Sequence, residues 1–401
     1  MKVTINKGTA HGSVKAPPSK SVAHRLLICA ALAGGESVVR GVALSEDIKA
    51  TLDCISSLGA EYMLDGGDVK IRGCGGRVSG GTFPCRESGS TLRFLIPIAC
   101  LSGEAATFTG TERLISRGIG VYEDVLGSRG IKFDRGTAEI GVSGQLSSGE
   151  YEVYGGVSSQ FITGLMFALA SLDGESVIRV TPPFESRSYV MITVDALRKF
   201  GVNIEVRDDT FVIRGGGYKA ADVTVEGDWS NAAFPLALGE LGGEVEVLGL
   251  DHESTQGDRV VTDIMKKLSA GYCEIDLSDI PDTAPILFAM AAAFGHGARF
   301  TGTRRLKIKE SDRAAVMAEE LSKFGASVTV YDDEVVITSG EIRDPDEIIC
   351  GHNDHRIVMA MSVLCTLAGG TIDGAEAISK SYPNFFEDLS ALGIEIQTEE
   401  V

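Results

Sequence analysis

The chain has fewer basic residues than acidic residues. It carries 37 Lys and Arg against 56 Asp and Glu, which gives a formal net charge of −19 at pH 7. Nucleic-acid binding requires a basic surface, so this balance argues against a nucleic-acid partner. No apolar stretch is long enough to cross a bilayer, and we expect no membrane association. The N-terminal residues lack the apolar core of a signal peptide, so we expect a cytoplasmic protein.

The eight cysteines form no Cys-x-x-Cys pair. Cys29, Cys100 and Cys365 fall inside apolar segments, where reduced, buried thiols are the ordinary reading. The sequence also has no His-Glu-x-x-His motif, no Cys/His cluster and no run of carboxylates that resembles a metal-binding loop. We therefore predict that the protein uses neither a metal ion nor another cofactor.

A group of polar residues directly precedes an apolar segment six times along the chain. Ser, Asp and Asn at such positions favour helix N-caps, and the apolar segments are typical of helices buried on every side. The first N–H groups of a helix are unpaired and its dipole is positive there, so several helix starts facing one place favour a small polyanion. The six starts are residues 17–25, 87–94, 157–161, 227–234, 281–285 and 353–356.

A second pattern alternates with the first. Amphipathic helical segments end in a small residue and continue into an alternating strand, and the small residues are 71, 71, 68, 56 and 68 positions apart. Glycine is favoured just after a helix, and the near-constant period indicates one duplicated unit. These small residues are Gly59, Gly130, Gly201, Ser269, Gly325 and Gly393.

The two patterns together predict an α/β fold of two similar domains, each with three repeated units around buried apolar helices. We expect one domain to cover residues 15–226 and the other to cover residues 1–14 with 227–401. The leftover strand at residues 2–8 is expected to pair with the C-terminal half. A ligand cleft is expected between the domains.

Ten segments of the chain, in order and over nearly its whole length, resemble the enolpyruvyl transferase family. The resemblance implies that each domain contains three βαβαββ units. The segments read PPSKSVAHR, ESGSTLRF, SRGIG, GVSSQF, ESRSY, QGD, DIPD, LKIKESDR, NDHR and SKSYPNFFEDL.

The implied reaction transfers the enolpyruvyl group of phosphoenolpyruvate to the 5-hydroxyl of shikimate 3-phosphate and releases phosphate. A UDP-amino sugar is the other acceptor in this family. The Ser21 that follows Lys20, and the absence of cysteine near Arg117, favour shikimate 3-phosphate. An anion-binding scaffold that has lost its chemistry is a further alternative. The residues that argue against it are Asp282, Glu310, Lys20 and Lys380. We expect a monomer whose partners are these two small molecules.

The resemblance implies roles for individual residues. Asp282 is the expected base on the 5-hydroxyl, Glu310 exchanges a proton with the enol carbon, and Lys20 touches phosphoenolpyruvate. Each could instead be an ordinary helix cap or a solvated charge. Expected contacts of shikimate 3-phosphate are Lys20, Ser21, Arg25, Ser158, Ser159, Gln160, Ser186, Tyr189, Asp282 and Lys309. Those of phosphoenolpyruvate are Lys20, Gly89, Arg93, Arg117, Gln160, Arg313, His355, Arg356 and Lys380. The family pattern is broken at Glu87 and Arg305.

Overall fold

A computed structural model describes residues 1–399 of the chain and divides it into two compact units. One unit is residues 18–226, and the other combines residues 1–17 with residues 227–401. The strands are β1 Lys2–Ile5, β2 His11–Lys15, β3 Gly34–Arg40, β4 Glu61–Asp65, β5 Asp68–Cys74, β6 Gly81–Arg86, β7 Ala106–Gly110, β8 Lys132–Arg135, β9 Glu139–Ser143, β10 Glu150–Tyr154, β11 Glu175–Thr181, β12 Asn203–Arg207, β13 Thr210–Arg214, β14 Asp222–Thr224, β15 Glu244–Leu248, β16 Cys273–Asp276, β17 Ala298–Thr301, β18 Val328–Val330, β19 Glu334–Ile337, β20 Ile349–Cys350, β21 Gly370–Asp373 and β22 Ile396–Glu399.

Between these strands lie α-helices, and the described residues also contain three short 3₁₀ helices. The α-helices are α1 Lys20–Leu32, α2 Glu46–Ser57, α3 Gly89–Ala99, α4 Glu112–Ser116, α5 Gly120–Gly127, α6 Ser159–Ser171, α7 Arg187–Lys199, α8 Trp229–Glu240, α9 Val261–Ala270, α10 Ala284–Phe294, α11 Arg313–Lys323, α12 His355–Ala368 and α13 Phe385–Ala391. The 3₁₀ helices are Gly257–Val260, Arg304–Ile308 and Ala375–Lys380.

The repeated unit is a small four-stranded sheet with two helices. In the sheet β6-β7-β9-β8, the first two strands are parallel, and β9 runs antiparallel to both β7 and β8. Helix α3 connects β6 to β7, and α5 precedes β8. The sheets β10-β11-β13-β12 and β16-β17-β19-β18 have the same order. The predicted fold class is therefore confirmed.

The first and last repeats borrow a strand from far along the chain. In the sheet β14-β3-β5-β4, β14 pairs in parallel with β3, Asp222 opposite Val38. In the sheet β20-β21-β1-β22, β1 runs antiparallel to both β21 and β22. The prediction that residues 2–8 pair with the C-terminal half is confirmed, and each borrowed strand completes a sheet that the local sequence leaves short.

The fourth repeat lacks the final hairpin. Its sheet has only β15 and β2, and α9 leads directly into β16, which already belongs to the next sheet. The missing hairpin accounts for the short spacing of 56 residues in the sequence. Ser269 lies inside α9, which ends at Ala270 with Gly271 as its C-cap, so the predicted place of Ser269 after the helix was wrong. Because Lys15 of β2 pairs with Leu248, the N-terminal segment stays with the C-terminal unit through Pro17, beyond the expected residue 14.

Apolar helices form the centre of each unit. Every residue of α10 from Ala284 to Ala292 is buried, as a helix without a polar face requires. The cysteines at 29, 100 and 365 are buried thiols, as expected. None of the helices in the described residues combines the length and the apolarity that a bilayer crossing requires.

Gly164 allows α6 to approach α3 closely. A β-carbon at residue 164 would lie 2.2 Å from the Tyr122 Oη and 2.4 Å from the Arg93 carbonyl oxygen. The Tyr122 hydroxyl fills that space, donating to the carbonyls of Arg93 at 2.7 Å and Phe161 at 3.0 Å. The absence of a side chain at this position thus permits the buried contact that connects the two helices.

We expect Gly164→Ala to lower the free energy of unfolding by about 1–3 kcal/mol, because the new methyl group must displace the Tyr122 hydroxyl or backbone. The matched control is Gly127→Ala in α5, where a β-carbon would meet nothing within 4 Å. Urea unfolding followed by circular dichroism measures both variants. Equal effects of the two substitutions would contradict the close-approach argument.

Candidate active site

The start of α1 places Lys20 and Ser21 on a capped helix terminus. The Ser19 hydroxyl accepts from the Val22 N–H, so the helix begins where the sequence predicts. The Lys20 ammonium donates to the Asp47 carboxylate at 2.7 Å, and both side chains are only 16% exposed. Asp47 lies in the first turn of α2 and was not among the predicted site residues. Its carboxylate fixes the direction of the Lys20 side chain.

Arg25 contacts two other predicted residues, Ser21 and Tyr189, and also Thr193. Its guanidinium donates to the Ser21 carbonyl at 2.7 Å, to the Tyr189 carbonyl at 3.0 Å and to the Thr193 hydroxyl at 2.8 Å. Burial lowers the pKa of Arg25 to about 10, which leaves it charged at neutral pH. Arg25 therefore connects the first turn of α1, through Ser21, to the first turn of α7, through Tyr189.

Gly89, Arg93, Arg117 and Gln160 form a second group at the start of α3. A β-carbon at residue 89 would lie 3.1 Å from the Arg93 Nη1 and 3.2 Å from the Arg117 Nη1, so both guanidinium groups adjoin this turn. Arg93 donates to the Gln160 side-chain oxygen at 2.6 Å, and the Gln160 amide donates to the Ser90 hydroxyl at 2.9 Å. Two guanidinium groups and the N-terminus of α3 thus adjoin one position, which suits an anion.

The remaining predicted residues of this unit lie at two further helix starts. Ser158 caps α6 by accepting from the Gln160 N–H, and Ser159 is the first helical residue. Ser186 lies directly before α7, is 1% exposed and has a left-handed backbone with φ of 53°. The two helices are connected one turn further on by the hydroxyls of Thr163 and Thr193, 2.8 Å apart.

A buried chain of hydroxyls connects the starts of α1, α2 and α3. It runs from the His24 Nδ1 to the hydroxyls of Thr51, Thr91 and Ser88, with contacts of 2.7, 2.8 and 2.7 Å. Burial lowers the pKa of His24 well below its ordinary value, so the ring is neutral. Ser88 caps α3, and the chain therefore fixes the turn at Gly89 relative to Lys20.

In the other unit, Asp282 lies before α10 and faces three cations. Its Oδ1 accepts from the Lys309 Nζ at 3.1 Å and the Arg313 Nη1 at 2.9 Å, and its Oδ2 is 3.7 Å from the Arg356 Nη2. Burial by itself favours the neutral acid, but Lys309, Arg356 and Arg313 lower the pKa of Asp282 well below its ordinary value. The helix N-cap is Thr283 rather than Asp282, so the capping role considered for this carboxylate was wrong.

Arg313 binds three carboxylates while its side chain is 1% exposed. Besides Asp282, it contacts Glu310 at 2.7 Å and Asp354 at 2.9 Å. Burial would lower the pKa of Arg313, but Asp354, Glu310 and Asp282 raise it above its ordinary value. Lys309 lies beside this group, and burial lowers its pKa. The segment that could have been a solvated charge run is therefore part of a compact ionic cluster.

The start of α12 adds Asp354, His355 and Arg356 to this cluster. Asp354 caps the helix, accepting from the Arg356 N–H at 3.0 Å and the Ser311 hydroxyl at 2.9 Å. The Arg356 guanidinium donates to the Ser230 hydroxyl at 2.7 Å. Neither Ser230 nor Asp354 was among the predicted site residues, although both lie in helix starts that the sequence analysis identified.

Two predicted residues, His355 and Lys380, lie close to this cluster with fewer contacts to it. His355 is buried with 2% exposure, and its Nδ1 is 4.0 Å from the Asp354 carboxylate. Lys380 ends a 3₁₀ helix and donates to the Asn353 carbonyl at 2.9 Å. Arg305, where the family pattern is broken, is buried. Burial is the main cause that lowers the pKa of Lys309, and the charges of Arg313 and Arg305 lower it further. Glu87, the other departure, is exposed.

Helix starts that carry cations, with a cluster of carboxylates beside one set of them, define a protein that handles small anions. Two solved structures share this fold. An enolpyruvyl transferase, NikO of Streptomyces tendae, is similar with a TM-score of 0.77 at 16% identity, over 99% of this chain and 98% of that one. The EPSP synthase of Acinetobacter baumannii is similar with a TM-score of 0.81 at 24% identity, over 99% and 100%.

Sequence similarity identifies the family. The family model for EPSP synthase (3-phosphoshikimate 1-carboxyvinyltransferase) matches residues 5–389. The 3-phosphoshikimate 1-carboxyvinyltransferase of Clostridium kluyveri is 41% identical over 98% of both chains. That of Clostridium novyi is 40% identical over 98% of this chain and 97% of the relative. The chain belongs to the EPSP synthase family, and the resemblance noted in its sequence is confirmed.

We expect Asp354→Asn to lower the free energy of unfolding by about 3–5 kcal/mol, because it leaves the buried Arg313 charge with one carboxylate fewer. Burial favours the neutral acid, but Arg313 lowers the pKa of Asp354, so its contribution is complete above the unfolded pKa of about 3.9. The difference from wild type should stay constant from about pH 5 to pH 8 and shrink as the pH falls through the folded pKa.

Chemical denaturation at several pH values measures this difference. The matched control is Asp346→Asn, which removes an exposed carboxylate 2.8 Å from Arg343 and should change little. A difference that instead grew on acidification would show that Asp354 is not ionised in the folded protein.

Proposed function

We propose that the chain transfers the enolpyruvyl group of phosphoenolpyruvate to the 5-hydroxyl of shikimate 3-phosphate and releases phosphate. The observation that carries this proposal is the Asp282 carboxylate, held ionised by Lys309, Arg313 and Arg356 in a chain of the EPSP synthase family. A base must be unprotonated before it can accept a proton, and the lowered pKa of Asp282 meets that requirement.

Binding of shikimate 3-phosphate relies mainly on the unit of residues 18–226. Ser158, Ser159 and Ser186 offer hydroxyls and helix N–H groups to the 3-phosphate, with Tyr189 and Gln160 beside them. Arg25, Ser21 and Lys20 serve the carboxylate end of the same molecule. Asp282 and Lys309 are further contacts proposed for this substrate.

Binding of phosphoenolpyruvate relies on cations. Arg93, Arg117 and Lys20 neutralise its phosphate near Gly89, with Gln160 bridging to Arg93. The planar guanidinium group of Arg356 binds the carboxylate of phosphoenolpyruvate. The remaining proposed contacts of this substrate are Arg313, His355 and Lys380. Holding two anions in fixed geometry removes much of the entropy cost of a bimolecular step, and these fixed charges act without reorganisation.

The chemistry has two steps. In the first, the 5-hydroxyl passes its proton to Asp282 while its oxygen bonds to C2 of phosphoenolpyruvate, and Glu310 delivers a proton to C3. In the second, the bond between C2 and the phosphate oxygen breaks, and C3 returns a proton to Glu310. Phosphate leaves with the displaced electron pair, and the proton on Asp282 is lost with it or to solvent.

The experiment that tests the proposal is phosphate release by the purified protein. We expect release only when phosphoenolpyruvate and shikimate 3-phosphate are both present, with no added metal, because lysine and arginine side chains supply the countercharge. A UDP-amino sugar serves as the control acceptor. Turnover of the sugar instead, or loss of activity with EDTA that a divalent ion restores, would contradict this function or its metal independence.

Asp282→Asn should lower kcat by roughly 10²–10⁴ while changing the affinity for both substrates much less, since an assisting base is worth that factor. Steady-state kinetics and ligand binding by calorimetry separate the two effects. Asp263→Asn, an exposed position in α9, is the matched control and should leave both unchanged. Near-normal turnover of Asp282→Asn would assign Asp282 to holding Lys309 and Arg313 alone.

A further inference from the structure

The turn before α12 has an unusual backbone. His352 and Asn353 both adopt left-handed conformations, with φ of 49° and 53°. Two consecutive non-glycine residues of this kind are uncommon and persist only where surrounding contacts hold them. Asp354, His355 and Arg356 follow directly. The conformation of this turn therefore decides where three residues of the site lie.

Glu320 of α11 holds the turn from one side. Its carboxylate is fully buried; Oε2 accepts from the Cys350 N–H at 3.0 Å, and Oε1 lies 2.8 Å from the His352 Nε2. Lys323, one turn further on, contacts the two oxygens at 3.0 and 2.8 Å and balances the charge. A buried carboxylate with a paired charge and several donors is firmly fixed, so it can act as an anchor.

The other side of the turn touches residues of the site. The Asn353 carbonyl accepts from Lys380 at 2.9 Å. Asp354, one residue later, accepts from Arg313, which begins the same helix that carries Glu320. Helix α11 therefore contacts residues 350–354 at two places, once through Arg313 and once through Glu320. A substitution of Glu320 would therefore shift the positions of Arg356 and Lys380 through the backbone of the turn.

We propose that Glu320 is a positioning residue for phosphoenolpyruvate binding. By fixing Cys350 and His352, it sets the start of α12 and the carbonyl that holds Lys380. This inference rests on the proposed function, because that function assigns Arg356 and Lys380 to phosphoenolpyruvate. Glu320 touches neither substrate nor reacting atoms and acts only through the turn.

A metal ion is the competing explanation for the same residues. Potential ligand atoms of Glu319, Glu320 and His352 lie within 4.8 Å of one another. The Lys323 ammonium, however, already contacts both oxygens of Glu320, so a divalent cation would have to displace it against charge repulsion. The contacts favour a fixed ionic anchor over a metal site.

Glu320→Gln tests the proposal, since an amide offers one acceptor oxygen where the carboxylate offers two. We expect the KM for phosphoenolpyruvate to rise roughly tenfold, while kcat and the KM for shikimate 3-phosphate change little. Glu347→Gln, at an exposed position just before β20, is the matched control and should alter neither KM. Glu320→Asp should recover part of the lost affinity.

His352→Asn gives a second and milder test, because asparagine tolerates the left-handed backbone but cannot reach Glu320 with a ring nitrogen. Its KM for phosphoenolpyruvate should rise less than in Glu320→Gln. In the double variant, the combined rise should be smaller than the product of the two, because both changes act on one contact.

Wild-type turnover is measured first, and its absence would refute the proposed function and this inference with it. If the wild type is active, the positioning role alone is overturned by either of two results for Glu320→Gln. In one, the KM values for both substrates rise equally; in the other, neither rises. If Glu320→Gln does not fold, an unchanged KM for phosphoenolpyruvate in His352→Asn overturns the positioning role. A KM for phosphoenolpyruvate in wild type that rises with EDTA would replace the anchor with a metal site.

Discussion

The contact of Arg313 with three carboxylates is the interaction on which the functional end of the C-terminal unit depends. Asp282, Glu310 and Asp354 come from three different segments, and each meets the same buried guanidinium. An isolated charge at this depth would be strongly unfavourable, whereas pairing with opposite charges offsets that cost. An acidic chain thus holds its cations in place by surrounding them with carboxylates, and the same contacts prepare Asp282 as a base.

The N-terminal unit fixes its helix starts by a different means. It uses neutral hydroxyls more than carboxylates, in the two chains of contacts Arg25–Thr193–Thr163 and His24–Thr51–Thr91–Ser88. Hydroxyls position a helix without adding negative charge, so they do not compete with an anionic ligand. The two units therefore fix their helix starts by different chemistry, one mainly by hydroxyls and the other by a cluster of opposite charges.

Local signals were sufficient for much of the fold. Helix starts could be predicted because N-capping depends on a side chain and the backbone within three residues, and five of the six apolar helices are capped by Ser19, Ser88, Ser158, Asp228 and Asp354. The exception is α10, where Asp282 turns toward Lys309 and Arg313 and leaves Thr283 at the cap. There a long-range charge interaction overrides the local preference.

The sequence by itself determined the repeated architecture, the burial of the apolar helices and the family, since these depend on periodicity and on motifs read along the chain. Only the tertiary structure decided that β1 and β14 complete distant sheets, that Asp47 directs Lys20, and that Ser230 contacts Arg356. The partners in these contacts are separated by 27 residues for Lys20 and Asp47 and by 126 for Arg356 and Ser230. Which side chains meet over such separations depends on how the repeats pack, and no local pattern in one sequence records that packing.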